Sequence, residues 1–339
     1  MSPTSDMIGV AVVGLGVGEQ HLRAFQSHPR CRVLSVYDID FHRAEKVAMG
    51  LDGCSVASSY EELLTSQTID LLSIASFDDA HYEQTLDALH ADKHVFVEKP
   101  LCRSLDELKK IKEAWNSAGS QVALGCNLIL RSAPLYRWVR TQVLDGALGE
   151  IYAFDGDYLY GRKEKITDGW RRDVNNYSVV QGGGVHLVDL MLWITGQRPL
   201  AVQAVGNRVC TSGTAFRYHD FVAATYEFDS GIVGRITANF GCMHRHQHVL
   251  RIFGTNATFI HDEESSRLHT SRDPAVPANE VVQDSLPSSK GSLIPEFVDS
   301  ILTGRDRRED TQLIFDGISA CVAADEAART NSRIAIEYV

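Results

Sequence analysis

The first 125 residues alternate short apolar runs with amphipathic stretches, and that rhythm constrains the fold more than any other feature of the chain. "IGVAVV", "RVLSVYD", "DLLSIAS", "KHVFVEK" and "QVALG" read as strands, while "EQHLRAFQSH", "HRAEKVAMG", "AHYEQTLDALH" and "SLDELKKIKEAWNSAG" read as the helices between them. Near-continuous apolar strands separated by helices imply a parallel sheet covered on both faces. Ser104 and Glu107 form a capping box at the start of the last of these helices, and Gly119 marks its end.

After residue 126 the strand-like segments lengthen and follow one another: "GEIYAFDGDYLYG", "LAVQAVGNRVC", "DFVAATYEFDSGIVGRITANFG" and "HQHVLRIFGTNATFIHD". Within them "EFDSGIVGRI" reads as a hairpin turning at Asp229, Ser230 and Gly231. The expected architecture is therefore α/β at residues 1–125 and, at residues 126–339, an α+β domain with a large, mostly antiparallel open sheet. Residues 271–292 read as a surface loop. Two helices near 293–303 and 310–330 close the chain and are available to pack back toward the first domain.

Composition excludes several classes. A net charge of −11 with no long basic run argues against nucleic acid or an anionic membrane as partner. No apolar run approaches the roughly 20 residues that span a bilayer, and "MSPTSDMIGV" lacks the pattern of a signal peptide. The seven cysteines are scattered without a C-x-x-C pair, which reads as free thiols in a reducing cytoplasm.

"VVGLGVGEQH" joins the first strand to the first helix, where backbone N–H groups and the helix dipole can hold a pyrophosphate. Gly14 and Gly16 fit the G-x-G-x-x-G spacing, but Glu19 stands in the third glycine's place and Gly18 comes one residue early. A one-residue shortening after Gly16, through Val17, would give Gly18 the role of close helix–strand packing and turn Glu19 outward. Asp38 ends the second strand, where a carboxylate accepts ribose hydroxyls and repels a 2′-phosphate, favouring NAD over NADP. Arg43 could soften that preference. Asp40 is the better helix cap.

Residues 95–101, "VFVEKPL", end the fifth strand, and ligands of open α/β sheets bind beyond such carboxyl ends. Lys99 could polarise a substrate oxygen, and Glu98 could pair with it or touch the nicotinamide ribose. A surface strand end with a salt bridge is the plain alternative. With "GLGVGEQH", "SIASFDDAHYEQTLDALHADKHVFVEKPL", "GCNLILRSAPL", "GALGEIYAF" and "GGGVHLVDLMLWITG", this segment makes the chain resemble the Gfo/Idh/MocA oxidoreductases from the first strand to about residue 260. Family members often carry a histidine three residues after the third glycine, and Gly18 with His21 keeps that spacing. The resemblance implies a Rossmann dinucleotide-binding domain at residues 1–125 and a domain for substrate binding and oligomerisation at residues 126–339, with Asn127 near the nicotinamide and Arg131 contacting substrate. Ser76, which follows the fourth strand, is counted with the cofactor site. His81 either flanks the cofactor or is an ordinary histidine at a helix start.

The same resemblance makes His186, near the start of an apolar helix, a proton acceptor for a sugar hydroxyl as its carbon loses hydride. Many members place an aspartate four residues earlier, where this chain has Gly182. Asp189, three residues on, could orient His186 or bind substrate. Tyr158, Tyr160, Trp170, Arg171 and Arg172 suggest stacking on a sugar and recognition of a charged group, or else a solvated loop. His244, His246 and His248 alternate on one strand face, which reads as a polar sheet face or subunit interface; no metal site is expected. The expected activity is hydride transfer between NAD and a secondary alcohol of a sugar, nucleotide-sugar or cyclitol, in a homodimer or homotetramer. An NAD-dependent glycoside hydrolase and a dinucleotide-binding regulator are the alternatives.

Overall fold

The structure is a computed structural model that describes residues 7–339. By internal contacts the chain divides into two units: residues up to Ile129 with Pro287–Ile314, and Leu130–Leu286 with Phe315–Val339.

The first unit holds six parallel strands: β1 (Ile8–Val13), β2 (Cys31–Tyr37), β3 (Ser55–Val56), β4 (Leu71–Ile74), β5 (His94–Val97) and β6 (Leu124–Cys126). Their order is β3-β2-β1-β4-β5-β6, so the strand order reverses between β1 and β4, the switch point at which such sheets bind dinucleotides. β3 has two residues and no apolar run to signal it. The helices are α1 (Gly18–Ser27), α2 (Phe41–Ala48), α3 (Tyr60–Thr65), α4 (His81–His90) and α5 (Leu105–Ala118). Asp40 caps α2 by accepting the Arg43 N–H at 3.2 Å. Ser104 accepts the Glu107 N–H at 3.2 Å, while the Glu107 carboxylate takes the N–H of Arg103, one residue before the cap.

The second unit contains α6 (Pro134–Leu144), the single turn α7 (Glu164–Thr167) and the apolar α8 (Val185–Thr195). Its strands are β7 (Ile151–Leu159), β8 (Pro199–Asn207), β9 (Phe221–Phe228), β10 (Val233–Asn239), β11 (Gln247–Gly254), β12 (Thr258–His261), β13 (Ser266–His269), β14 (Asn279–Glu280) and β15 (Ile334–Ala335). They form one sheet, ordered β14-β13-β12-β11-β7-β10-β9-β8-β15. The β7–β10 pair is parallel and the other pairs are antiparallel. β9 and β10 make the expected hairpin.

The two closing helices are α9 (Ile294–Thr303) and α10 (Arg308–Thr330). Helix α9 belongs to the first unit. Its apolar residues Ile294, Phe297 and Val298 are buried in the same core as Val10, Phe25 and Phe96. Phe297 lies 5.3 Å from the Phe96 ring, centroid to centroid.

Candidate functional site

In the first unit the glycine turn sits on β1 and opens α1. Gly14 has φ +80°, and a Cβ there would come within 2.5 Å of the Ala75 carbonyl oxygen, so only glycine fits. A Cβ on Gly16 would meet nothing within 4 Å, which leaves the backbone bare toward open space. Gly18 is buried against β1, its added Cβ 3.1 Å from Val12 and 3.4 Å from Ala75. The early glycine thus holds α1 close to the sheet. Val17 is exposed, and Glu19 is half-exposed with Arg23 at 3.9 Å.

Asp38 is buried at the end of β2. Its carboxylate accepts the Leu15 N–H at 2.6 Å and the Asp40 N–H at 2.8 Å, with Arg43 at 3.6 Å. A carboxylate offers about four acceptor positions, so ribose hydroxyls could still be accommodated. The sequence pattern did not show that this residue also holds the glycine turn.

At the carboxyl ends of β5 and β6 lies a buried polar network. Asn127 donates through Nδ2 to Glu98 Oε1 at 2.6 Å and to the Lys290 carbonyl at 2.8 Å. Two acceptors around one nitrogen fix the amide's orientation. Its Oδ1 is buried and has no partner. His21 is wholly enclosed, with Nε2 3.2 Å from Glu98 and Nδ1 3.0 Å from the Ser73 hydroxyl. Nε2–H therefore donates to Glu98 and Nδ1 accepts from Ser73. Burial alone would raise the Glu98 carboxyl, but His21, Lys99 and Asn127 outweigh it and hold its pKa at about 2. Glu98 also accepts the Lys99 N–H at 3.2 Å, so the ionised network fixes the backbone of the partly buried lysine.

His81 is placed differently from a residue that flanks a ligand. It is wholly buried, with Nδ1 2.7 Å from the Pro100 carbonyl and Nε2 3.2 Å from the Ser76 carbonyl. It ties the chain after β4 to the chain after β5, as a support behind both. The Ser76 hydroxyl donates to Gln84 at 2.6 Å. The bare Gly16 turn, the Asp38 carboxylate and the unpartnered Asn127 oxygen fit a dinucleotide: they offer room at a helix start, an acceptor for ribose and an acceptor for an amide.

In the second unit a π-helical turn, Val180–Gly184, leads into α8. Turns of this kind often mark functional positions. Here two tyrosines explain its glycines. A Cβ on Gly182 would fall 2.3 Å from the Tyr177 hydroxyl, and one on Gly183 would fall 2.2 Å from the Tyr158 ring. The place of an aspartate side chain is thus filled by a phenol. His186 is buried at the start of α8, 6.3 Å from the Tyr158 ring and nearly parallel to it. The His248 ring lies 6.0 Å from that of His186, and His246 lies 4.8 Å from His248. Tyr160 stacks on Tyr158 at 5.8 Å. Burial raises the Tyr158 phenol well above its ordinary range, with Tyr160 and Tyr177 adding to the effect.

Two expectations change here. Arg131 and Asp189 turn to each other: Nε lies 2.9 Å from Oδ2 and 3.1 Å from Oδ1, and the Nη2 group also contacts Oδ1. This bidentate pair leaves Asp189 committed to Arg131. The three histidines do not share a face, because β11 begins at Gln247 and His244 precedes it, bound to Glu263 at 3.1 Å. Among the described residues no cluster of histidine, cysteine and carboxylate side chains is arranged to hold a metal. Trp170 and Arg171 pair with each other, the guanidinium 4.4 Å from the ring centroid. The sequence pattern gives no sign of Tyr177 or Lys290, and only strand alternation points to His246 and His248.

Residues 8–126 match the model of the oxidoreductase family with an NAD-binding Rossmann fold, and residues 136–260 match the Gfo/Idh/MocA C-terminal domain. The chain belongs to the Gfo/Idh/MocA family. Residues 8–126 are accordingly an NAD-binding Rossmann domain. An uncharacterized oxidoreductase of Synechocystis sp. is 28% identical over 57% of this chain and 52% of its own length. The 2,7-anhydro-N-acetylneuraminate hydratase of Escherichia coli is 27% identical over 66% and 60%. The inositol 2-dehydrogenase of Acidothermus cellulolyticus is 24% identical over 96% and 93%. For three of these curated relatives, a 1,5-anhydro-D-fructose reductase of Ensifer adhaerens among them, the chain spans only 52% to 60% of their length. Levoglucosan dehydrogenase, solved with NADH and levoglucosan, superposes with a TM-score of 0.84 at 19% identity, covering 98% of this chain and 100% of that one. At such identity the likeness shows the fold. Among the described residues no helix is long and apolar enough to cross a membrane.

Proposed function

We propose that the protein is an NAD-dependent dehydrogenase that moves hydride between the nicotinamide and a secondary alcohol of a sugar, nucleotide-sugar or cyclitol. The observation that carries this reading is the ionised Glu98–His21–Asn127 network, which fixes the backbone of Lys99 at the carboxyl end of β5 in an NAD-binding domain. The bound cofactor supplies the hydride acceptor. Lys99 polarises the substrate oxygen, and His186 takes its proton. Gly14, Gly16, Val17, Gly18, Asp38, Ser76 and Asn127 form the cofactor side. The partly exposed Tyr160, stacked on the buried Tyr158, offers an apolar ring to a sugar. Relatives named as D-glucoside 3-dehydrogenase and inositol 2-dehydrogenase support the substrate class.

Free thiols at all seven cysteines agree with a cytoplasmic setting. The sheet face opposite α8 carries Asp155 with Arg235 at 2.5 Å and Asp157 with Arg251 at 3.2 Å. That polar face suits a homodimer or homotetramer.

The test is absorbance of reduced nicotinamide when the protein meets NAD and a panel of inositols, free sugars, sugar acids and UDP-linked sugars. A rise with one class is expected. Lys99→Ala and His186→Ala proteins that fold and turn over at the wild-type rate would disprove the assigned roles. A hydratase among the relatives favours one further reading, in which transient oxidation ends with NAD restored. Product formation from an anhydro-sugar or glycoside without net NADH would identify it.

A further inference from the structure

The matched NAD-binding segment ends at residue 126, yet "SSKGS", Ser288–Ser292, returns to the same unit. The Lys290 peptide is held on both sides. Its N–H donates to Gln20 Oε1 at 3.0 Å, on the first turn of α1, and its carbonyl accepts from Asn127 at 2.8 Å. Gly291 rests directly on α1: a Cβ there would lie 2.5 Å from the Ala24 Cβ and 2.9 Å from the Gln20 carbonyl oxygen. The Ser292 hydroxyl receives the Ser289 N–H at 3.1 Å and donates to the Ser289 carbonyl at 2.8 Å, so the loop is internally braced. Ser288, Ser289, Gly291 and Ser292 line one cleft with the bare Gly16.

This fixed backbone carries an exposed lysine between residues that share a cleft with Gly16 and the first turn of α1. The start of α1 offers amides and about half a positive charge, and Glu19 on its first turn works against an anion. A pyrophosphate brings two negative charges.

We propose that Lys290 supplies the counter-charge to the dinucleotide pyrophosphate and that the Ser288 and Ser289 hydroxyls complete its wall. The proposal rests on the reading that this unit binds NAD. Lys290 acts as a compact ammonium on a pinned peptide, a usual partner for phosphate oxygens.

Calorimetric titration of the full chain with NAD, ADP-ribose and adenosine tests it, using Lys290→Met and Ser288→Ala/Ser289→Ala variants shown to melt like the wild type. Lys290→Met is expected to weaken NAD and ADP-ribose about five- to twentyfold, as loss of one charge-assisted contact does. Adenosine affinity should stay unchanged and the salt dependence of NAD binding should flatten. The serine variant should weaken NAD by roughly threefold or more. NAD affinity within twofold of wild type with an unaltered salt dependence would overturn the proposal, as would an equal loss for adenosine. If the wild type itself binds no NAD, the proposed function falls with it, and the baseline titration shows that separately.

Discussion

The Asp38 carboxylate accepts the Leu15 N–H at 2.6 Å, so the residue at the ribose position also fastens the glycine turn from the next strand. One side chain therefore serves cofactor recognition and local structure, and substitutions should separate the two. Asp38→Ala leaves the Leu15 and Asp40 amides without their acceptor and should cost about 1–3 kcal/mol in urea unfolding. Asp38→Asn keeps an acceptor oxygen and should lose less stability while still weakening NAD. If Asp38→Ala unfolds like wild type and binds NAD normally, both roles are wrong.

The glycines before α8 make a second prediction. Gly182→Ala pushes a methyl group against the Tyr177 hydroxyl, an overpacking expected to cost about 1–3 kcal/mol. Tyr177→Phe removes the closest atom and leaves the ring carbon 2.9 Å away, so the double variant should recover part of that loss. Gly183→Ala meets the Tyr158 ring itself and should gain nothing from Tyr177→Phe. A double-mutant cycle of melting temperatures checks this. Additive effects at 182 and 177 would contradict the contact.

Much of this was legible beforehand. The strands of the first unit other than β3, the capped α5 and the β9–β10 hairpin follow from apolar period and turn chemistry, which are local. Pairings across the chain were not legible. Nothing near Arg131 announces Asp189, 58 residues away, and amphipathicity shows that α9 buries a face without saying against which core. His81 shows the same limit. A histidine at a helix start looks alike in sequence whether it faces a ligand or, as here, two carbonyl oxygens.

Asp325 supplies a pH prediction. It is half-buried on α10, accepting the Ser178 hydroxyl at 2.7 Å and Gln181 Nε2 at 3.0 Å just before and within the π-turn. Burial raises its carboxyl to about 6 from an ordinary 3.8, although both hydrogen bonds oppose the shift. An acid with a raised folded pKa holds more protons folded than unfolded, so stability falls as pH rises from about 4 to about 6. At neutral pH the folded state carries this cost, roughly 3 kcal/mol for a shift of that size. Asp325→Asn removes the charge and should melt higher than wild type above pH 6, with a flatter profile between pH 4 and 7. A lower melting temperature at pH 8 would show that the ionised carboxylate is needed.

The Arg131–Asp189 pair decides between a substrate role and a structural one. The Arg131 side chain is 12% exposed and that of Asp189 1%, so removing either partner strands the other charge largely away from water. Burial also raises the Asp189 carboxyl, with Arg131 pulling against it. Breaking such a pair costs about 3–5 kcal/mol, whereas replacing both members by apolar residues of similar volume often costs far less. Arg131→Met and Asp189→Leu should each destabilise by that order in urea unfolding, and the double variant should be more stable than either single one. A surviving double variant with near-normal KM would place the pair in the framework of the fold. Single variants that unfold like wild type but raise KM more than tenfold would return both residues to the substrate, because a contact made with the ligand alone leaves the free protein's stability unchanged.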